Sequence, residues 1–308
     1  MQTTIDFQPN DKFKFRFGTK EFPQIIVPFE KTPQSIVCPH FWELRWAYGC
    51  HFNCSYCYLQ GTFRGHKEPW NIPLSHVFIA LDNFFNQVSE PSILNSGELA
   101  DSLVFPFEIE KIIDKFEEQN RHKLLLLTKS ANVGFLLKKP RKQTIVSFSI
   151  NAYTPAKLWE KNVPPPEKRI EAAKMVSDAG YETRIRIDPI FPIENWQEEY
   201  DELLYLIFSK FTPERITLGT PRGLKKTLLF AKDKTWTSCL TESSGWGKKI
   251  PSDVRKGVYI YFFDRLSELG FTQSKIALCK ETIDIWKELK INPGNYPKWE
   301  KCKCNCVW

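Results

Sequence analysis

The sequence predicts an α/β fold, a parallel barrel or partial barrel that is followed by a cysteine-rich C-terminal extension. Short apolar runs such as KLLLLT and TIVSFSI have the nearly continuous hydrophobicity of parallel strands that are buried on both faces. Amphipathic stretches with helical spacing lie between these runs, so that six strands are each expected to be followed by a helix. In such a barrel the functional side chains lie at the carboxyl ends of the strands.

Each element has its own local signal. The third predicted helix opens on prolines and closes on Gly180, the asymmetry expected of helix ends. The helices are predicted over SHVFIALDNFFNQV, EIEKIIDKFEEQN, PPPEKRIEAAKMVSDAG and WQEEYDELLYLIFSKF. The predicted strands are Glu43–Gly49, Ser92–Asn95, Lys123–Thr128, Thr144–Ser149, Thr183–Ile187 and Arg215–Leu218.

Three parts of the chain are predicted. Residues 1–42 form an N-terminal lead-in, residues 43–233 form the barrel, and residues 234–308 form a helical extension with a cysteine-rich tail. The extension contains the helical pattern SDVRKGVYIYFFDRLSELG, the short strand pattern KIALC and the helical pattern TIDIWKELK, and it ends in KCKCNCVW.

The composition describes a packed globular protein. The 308 residues are 42% hydrophobic and carry a net charge of +7, which is compatible with a nucleic-acid or phosphate partner and equally with solubilising surface lysines. No apolar run reaches transmembrane length, and the first residues are polar and charged. We therefore expect a cytoplasmic protein with reduced thiols.

Nine cysteines in a reducing compartment indicate a metal or a reaction before they indicate disulfides. Three of them, Cys50, Cys54 and Cys57, lie in GCHFNCSYCY just after a predicted strand. Three thiolates can hold three irons of a 4Fe–4S cluster and leave the fourth iron open to a small molecule. A structural zinc knuckle is the alternative, although it needs a fourth ligand.

CxxxCxxC followed by an aromatic residue resembles the signature of the radical S-adenosylmethionine (SAM) superfamily. The stretch YGCHFNCSYCYLQG is similar to the cluster loop of the spore photoproduct lyase family, and the similarity continues through LLTKS, FSINAY, EAAKMVSDAGYETRIRIDPIFPIENWQEEY and GWG. The resemblance implies a partial (β/α)6 barrel of the radical SAM type. It also implies a 4Fe–4S cluster that reductively cleaves SAM to a 5′-deoxyadenosyl radical.

Polar residues at the strand ends are candidates for binding SAM. Glu98, which follows Gly97, resembles the family's contact to the methionyl ammonium, with a surface acid as the alternative. Lys129 matches the family's lysine toward the methionyl carboxylate, unless it is a solvated loop residue. Ser149 and Asn151 share one strand face and suit ribose hydroxyls or the carboxylate, although Asn151 is also a plausible turn residue.

Three charged side chains, Arg184, Arg186 and Asp188, alternate on one face of the fifth strand. Arg186 and Asp188 are predicted to pair with each other or to grip SAM, and the arginines also suit an acidic or phosphate substrate. Tyr56, like Tyr58, flanks Cys57 and is predicted to pack against the cluster or adenine.

The chain departs from the family at the hydrogen donor. The resemblance implies a cysteine near the end of the second strand that returns hydrogen to the product radical, but SILNSGELADS contains none. The catalytic hydrogen donor is therefore not identified, and Cys239 is a weak candidate.

A second metal site is predicted at Cys279, Cys302, Cys304 and Cys306, because four thiols suffice for a second 4Fe–4S cluster or for zinc. An auxiliary cluster is favoured, and reactive thiols or a redox pair are the alternative. Cys38 is interpreted as a packed residue.

The function predicted from these patterns is a radical SAM enzyme that modifies, rearranges or repairs a pyrimidine in DNA. The alternatives are a radical SAM enzyme for a small metabolite or peptide, and a non-catalytic zinc-dependent nucleic-acid-binding protein. The expected partners are DNA or a nucleotide and an electron donor such as flavodoxin or ferredoxin, without a membrane.

Overall fold

An eight-stranded sheet forms the centre of the molecule. The computed structural model describes residues 16–30 and 32–308, so the first part of the predicted lead-in lies outside the described residues. β1 is antiparallel to β2, and all later neighbours are parallel and follow chain order across the sheet. The strands are β1 (Ile26–Phe29), β2 (Phe41–Leu44), β3 (Ile93–Asn95), β4 (Lys123–Thr128), β5 (Thr144–Ser149), β6 (Glu182–Ile187), β7 (Ile216–Leu218) and β8 (Ile276–Leu278).

Helices cover the sheet with one apolar face each, as their periodicity predicts. α3, for example, starts at Pro106 and buries Ile109, Ile112, Ile113 and Phe116. The helices are α1 (Leu59–Thr62), α2 (Leu74–Gln87), α3 (Pro106–Glu117), α4 (Tyr153–Trp159), α5 (Pro166–Asp178), α6 (Trp196–Lys210), α7 (Lys225–Phe230), α8 (Ser252–Glu268) and α9 (Ile283–Glu288).

Two sequence-based expectations are wrong in detail. β4 is followed by a short 3₁₀ turn, Leu136–Lys138, and not by an α-helix; the stretch before β5 contains Gly134 and Pro140, which disfavour a longer helix. The first predicted strand is divided into β2 and Ala47–Tyr48, because the Trp46 carbonyl leaves the sheet to accept the Ile72 N–H at 2.8 Å.

Four short antiparallel ribbons lie around the sheet. Ile36–Val37, just before β2, pairs with Glu281–Thr282, just after β8, so this ribbon joins chain segments from opposite sides of the sheet. The other ribbons pair Ala47–Tyr48 with Trp70–Asn71, Asn53–Cys54 with Glu160–Lys161, and Glu242–Ser244 with Gly247–Lys249.

The sheet extends beyond the predicted barrel of residues 43–233, since β1 precedes that range and β8 follows it. The C-terminal tail also belongs to the interior, because Cys302, Cys304 and Cys306 are buried in the main hydrophobic core. Within the described part of the chain, no helix has the length and apolar character needed to cross a membrane.

Candidate active site

The loop that carries Cys50, Cys54 and Cys57 is held against the segment that follows β3. Gly49 has a φ of +82°, and its N–H donates to the Leu99 carbonyl at 2.9 Å. A Cβ at Gly49 would lie 2.6 Å from the Lys67 carbonyl oxygen and 2.7 Å from that of Glu68. Glycine is therefore required for this close approach of three backbone segments.

The three thiols line one small cavity, and none of them is in a disulfide. Cys54 lies in the short strand Asn53–Cys54 opposite Glu160, and the Gln60 side chain donates to the Cys54 carbonyl at 2.7 Å. Burial raises the pKa of Cys50 to about 12. Burial also raises the pKa of Cys54 and Cys57, so a bound metal would have to displace the protons of the three thiols.

The donor set fits a 4Fe–4S cluster with one open iron, since three thiols that are free of disulfides share one cavity. In the part of the chain that the structure describes, however, no group of three or more His, Cys, Asp or Glu side chains is already arranged to hold a metal ion. Binding a cluster thus requires the three thiols to turn toward a common centre.

A buried charge network lies next to Cys54. The Lys129 ammonium donates to Ser149 Oγ at 2.7 Å and to Glu160 Oε1 at 2.9 Å, and Arg169 donates to Glu160 Oε2 at 2.6 Å. Burial by itself would raise the pKa of Glu160, but Lys129 and Arg169 outweigh burial and lower that pKa to about 2. Tyr56 also donates to this carboxylate, so the network is compensated within the protein.

Glu160 and Arg169 were not predicted as site residues. Nothing in the sequence around them distinguishes a buried acid or a buried arginine from a surface residue of a helix end. Their importance follows from the pairing of Asn53–Cys54 with Glu160–Lys161, which joins residues that are about a hundred positions apart.

Glu98 lies beside the cysteine loop. Asn95, the last residue of β3, donates to Glu98 Oε1 at 2.8 Å. The Tyr58 hydroxyl contacts the Glu98 carbonyl oxygen and lies 3.3 Å from Oε2. A Cβ at Gly97 would lie 2.7 Å from Leu127 Cβ, so a glycine permits the tight packing of this segment on β4.

Asn151 has mainly structural partners in the fold. Its side chain donates to the Pro189 carbonyl at 3.0 Å, and its Oδ1 accepts from the Tyr200 hydroxyl at 2.7 Å and from the Ala152 N–H at 3.0 Å. Asn151 is 1% exposed. These bonds leave one side-chain N–H as its remaining donor.

Arg186 and Asp188 do come together, as predicted, with Nη1 and Oδ2 3.4 Å apart. Each also has a stronger partner that the sequence did not indicate. Arg222 donates to both carboxylate oxygens of Asp188 at 2.9 Å. Burial would raise the pKa of Asp188, but Arg222 and Arg186 outweigh it and keep that pKa below its usual range.

The guanidinium of Arg186 is directed toward thiols. Its Nη1 lies 3.1 Å from Cys279 Sγ, and its Nη2 lies 3.4 Å from Cys306 Sγ. The structure therefore places Arg186 of β6 between the end of β8 and the C-terminal tail. Arg184 similarly binds the tail, donating to the Asn305 and Val307 carbonyls at 2.8 Å.

Cys239 lies apart from both thiol groups. It packs against the smaller hydrophobic cluster of Trp159, Phe191, Trp236, Leu240 and Ile250, which Tyr56 also contacts. Its thiol lies 3.8 Å from the Trp236 carbonyl oxygen. The structure thus adds no partner that would mark Cys239 as a hydrogen donor, and that role stays a prediction.

Comparison with known proteins gives a consistent picture. A family model described as Spore photoproduct lyase matches residues 40–218. A spore photoproduct lyase of Clostridium acetobutylicum is 31% identical over 165 residues, which are 51% of this chain and 48% of that protein. One of Bacillus subtilis is 27% identical over 201 residues, which are 61% of this chain and 54% of that protein. The chain thus spans about half the length of the curated relatives it matches.

A solved structure resembles the fold over most of the chain. It is a spore photoproduct lyase mutant with bound AdoMet and dinucleoside spore photoproduct, and it superposes with a TM-score of 0.66 at 20% identity. The superposition covers 77% of this chain and 75% of that chain. The predicted partial barrel of the radical SAM type is confirmed by this likeness together with the strand order of the sheet.

Proposed function

The chain belongs to the spore photoproduct lyase family, and we propose that it is a radical SAM enzyme that acts on a pyrimidine base of DNA. The observation that carries the proposal is that Cys50, Cys54 and Cys57 share one cavity beside the carboxyl end of β3. The family membership and the net charge of +7 favour a nucleic-acid substrate over a small metabolite or a peptide.

Cys50, Cys54 and Cys57 would hold a 4Fe–4S cluster, with SAM as the second cofactor. When bound, the cluster would supply the electron that cleaves SAM to a 5′-deoxyadenosyl radical. An electron donor such as flavodoxin or ferredoxin would deliver that electron.

Glu98 would accept hydrogen bonds from the methionyl ammonium of SAM. Asn95 holds one carboxylate oxygen and Tyr58 lies near the other, so the carboxylate is oriented before SAM binds. A fixed acceptor loses little conformational entropy on binding, which favours affinity.

Lys129 would contact the methionyl carboxylate with the one N–H that Ser149 and Glu160 leave free. The Ser149 hydroxyl retains its own proton as a donor toward the same ligand. Asn151 would act mainly by shaping the neighbouring loop, while Tyr56 would pack beside the cofactors and fix Glu160.

Arg186 and Asp188 would stay paired within the protein rather than grip SAM. Both are engaged by Arg222, Cys279 or Cys306. Asp188 is paired with Arg222 as well as with Arg186, so its charge is already compensated and it is not left as an unpaired ion for a cofactor.

The test is anaerobic incubation of the reconstituted protein with SAM, a reductant and dinucleoside spore photoproduct or irradiated DNA, followed by mass spectrometry. We expect 5′-deoxyadenosine and a changed base, and neither product from a chain with Cys50, Cys54 and Cys57 all replaced by alanine. A wild-type protein that binds zinc but no iron, and that binds DNA without cleaving SAM, would instead indicate a nucleic-acid-binding protein.

We also propose a second metal centre at the C-terminal cysteines, in the form of an auxiliary 4Fe–4S cluster. Support comes from the burial of Cys302, Cys304 and Cys306 in the main core, where a metal would offset the entropy cost of ordering a chain end. The intact protein should carry about twice the iron of a chain truncated before Cys302, one cluster for each thiol group. Equal iron in the two, without zinc in either, would refute this second centre.

A further inference from the structure

Four thiols from three separate parts of the chain face one cavity. Cys38, Cys279, Cys304 and Cys306 all line it. The antiparallel pair of Ile36–Val37 with Glu281–Thr282 places Val37 opposite Glu281, so the next residue, Cys38, lies alongside Lys280 and close to Cys279. Cys279 and Cys38 are thus neighbours because this two-stranded ribbon brings their segments together.

The tail reaches the same cavity through a turn that is fixed inside the barrel. The Val307 N–H bonds to the Cys304 carbonyl at 3.3 Å, which places Asn305 at the tip of the turn. The Asn305 side chain bonds to Thr217 Oγ1 and Ser147 Oγ at 2.8 Å and to the Ile185 carbonyl at 2.9 Å. These bonds to three barrel strands hold Cys304 and Cys306 at defined positions.

The charges around the cavity suit thiolates. Arg186 lies within 3.4 Å of Cys279 Sγ and Cys306 Sγ, and Lys280 also lines the cavity. Four thiolates around a divalent ion or a 4Fe–4S cluster leave roughly two negative charges in excess. Arg186 and Lys280 offset part of that excess, because the Glu98 carboxylate also lines the cavity and adds one negative charge. Hydrogen bonds from Arg186 to sulfur stabilise the charged form.

Cys302 is placed differently from the other tail cysteines. It is 2% exposed, and its backbone N–H bonds to the Trp299 carbonyl at 2.9 Å. Its thiol lies within hydrogen-bonding reach of the Cys304 thiol, but Cys302 is absent from the lining of the cavity that the four other thiols share.

We propose that Cys38, Cys279, Cys304 and Cys306 are the four ligands of the second metal centre, and that Cys302 is not a ligand. The ligand class is a thiophilic metal, either one zinc ion or one iron–sulfur cluster. In the described structure these four thiols, like Cys50, Cys54 and Cys57, are not arranged around a common centre, so metal binding requires them to turn toward one. The assignment rests on the second metal centre proposed above and corrects its ligand set by one residue. It also joins the N-terminal segment, the last strand and the tail through one metal, with Arg186 as the residue that positions the sulfurs.

The experiment compares variants of the full-length chain in which Cys50, Cys54 and Cys57 are alanine, so that all bound metal belongs to the second centre. Each protein is purified and reconstituted anaerobically, and iron, zinc and acid-labile sulfide are measured per chain. About four irons with sulfide identify a cluster, and about one zinc without sulfide identifies a single ion. We expect Cys38→Ser to weaken metal binding roughly tenfold or more, and the matched control Cys302→Ser to leave the content unchanged.

The reverse result, with metal lost from Cys302→Ser and kept in Cys38→Ser, would overturn the ligand assignment and keep a second centre. A parent chain that is folded by circular dichroism but holds no metal, or that contains a Cys304–Cys306 disulfide, would overturn the assignment and the second centre together. Neither result bears on the proposed radical SAM activity, because that activity depends on Cys50, Cys54 and Cys57 of the wild-type chain.

The Cys302→Ser protein also provides a test that does not depend on folding of the Cys38 variant. It is loaded with ¹¹³Cd²⁺, whose NMR shift reports the number of sulfur ligands. A four-sulfur signal in Cys302→Ser supports the proposed set. A shift that corresponds to three sulfurs, when the parent chain gives four, would show that Cys302 is a ligand.

Discussion

The two thiol groups of this protein are built in opposite ways. Cys50, Cys54 and Cys57 lie within eight consecutive residues and share a cavity because of one loop. Cys38, Cys279, Cys304 and Cys306 share a cavity although more than two hundred residues separate the first of them from the second. A site whose residues lie in one loop can therefore be recognised in the sequence from their spacing. A site whose residues come from distant segments can be recognised there only in part.

The two groups also differ in their electrostatic surroundings. Next to Cys54 the charges of Lys129, Glu160 and Arg169 compensate one another. Next to Cys279, in contrast, Arg186 donates directly to the sulfur. A cation therefore donates directly to a sulfur in the second group, whereas in the first group Lys129 favours the Cys54 and Cys57 thiolates through its charge.

The largest expected effect is the loss of SAM cleavage when the first thiol group is removed. A chain with Cys50, Cys54 and Cys57 all replaced by alanine should lose reductive SAM cleavage to the level without enzyme, because within the described residues no other thiol lines the cavity that these three share. Its barrel should remain folded, since these thiols contribute little to the main core. The measurement is 5′-deoxyadenosine by mass spectrometry, together with circular dichroism. Undiminished 5′-deoxyadenosine in this variant would show that SAM cleavage depends on the other thiol group.

Glu160→Gln tests the network beside the first group. Removing the charge leaves Lys129 and Arg169 without their shared partner, and breaking such a buried pair typically costs about 3–5 kcal/mol of unfolding free energy. Denaturant unfolding measures this cost. The matched control is Glu171→Gln, whose carboxylate is 52% exposed and lies 3.4 Å from Lys210; it should change stability by less than about 1 kcal/mol. Similar losses in the two variants would contradict a special role of the network.

The same carboxylate gives a pH dependence of known sign. The pKa of Glu160 is lowered from 4.5 to about 2 in the fold, so its contribution is complete above about pH 4.5 and is lost as the pH falls toward 2. The contribution amounts to about 3 kcal/mol. The stability difference between wild type and Glu160→Gln should therefore narrow over that acid range. A difference that stays constant between about pH 5 and pH 3 would argue against the depressed pKa.

Asn305→Ala tests the anchoring of the second group. It removes side-chain bonds to Ser147, Thr217 and the Ile185 carbonyl, and leaving buried partners unpaired should cost about 2–3 kcal/mol. The tail should also become more susceptible to a carboxypeptidase. Asn132→Ala, at an exposed position, is the control and should match wild type. An equally protected tail in both variants would mean that the turn is held by other contacts.

Glu98→Gln is expected to give the smallest effect. Replacing a charged acceptor by a neutral one should weaken SAM binding by roughly 10- to 100-fold, the range for a hydrogen bond to a charged group. The iron bound by Cys50, Cys54 and Cys57 should not change, since Glu98 does not line their cavity, although it lines the cavity of the second thiol group. Calorimetry with SAM measures the affinity, and Glu90→Gln at an exposed position is the control. Unchanged affinity in Glu98→Gln would place the SAM ammonium elsewhere.

Much of the fold could be predicted from the sequence, because the signals are local. Lys123–Thr128 and Thr144–Ser149 are observed with the predicted bounds, and both are apolar runs of the kind that parallel strands have when both of their faces are buried. The predicted strand ends also located Glu98 and Lys129 as candidate site residues. The division of the first strand was not predictable, since it depends on where the Trp46 carbonyl finds a distant partner.

The sequence by itself determined the strand–helix alternation, the cysteine loop and the family to which the chain belongs, because each depends on residues within about fifteen positions of one another. Only the tertiary structure decided that Glu160 lies beside Cys54, that Arg222 binds Asp188, and that Cys38 joins the tail cysteines. These contacts arise when the short ribbons and the tail turn bring distant segments together. Once a charged group or a thiol is buried, its stability depends on its nearest partner in the fold. The sequence pattern alone does not identify that partner.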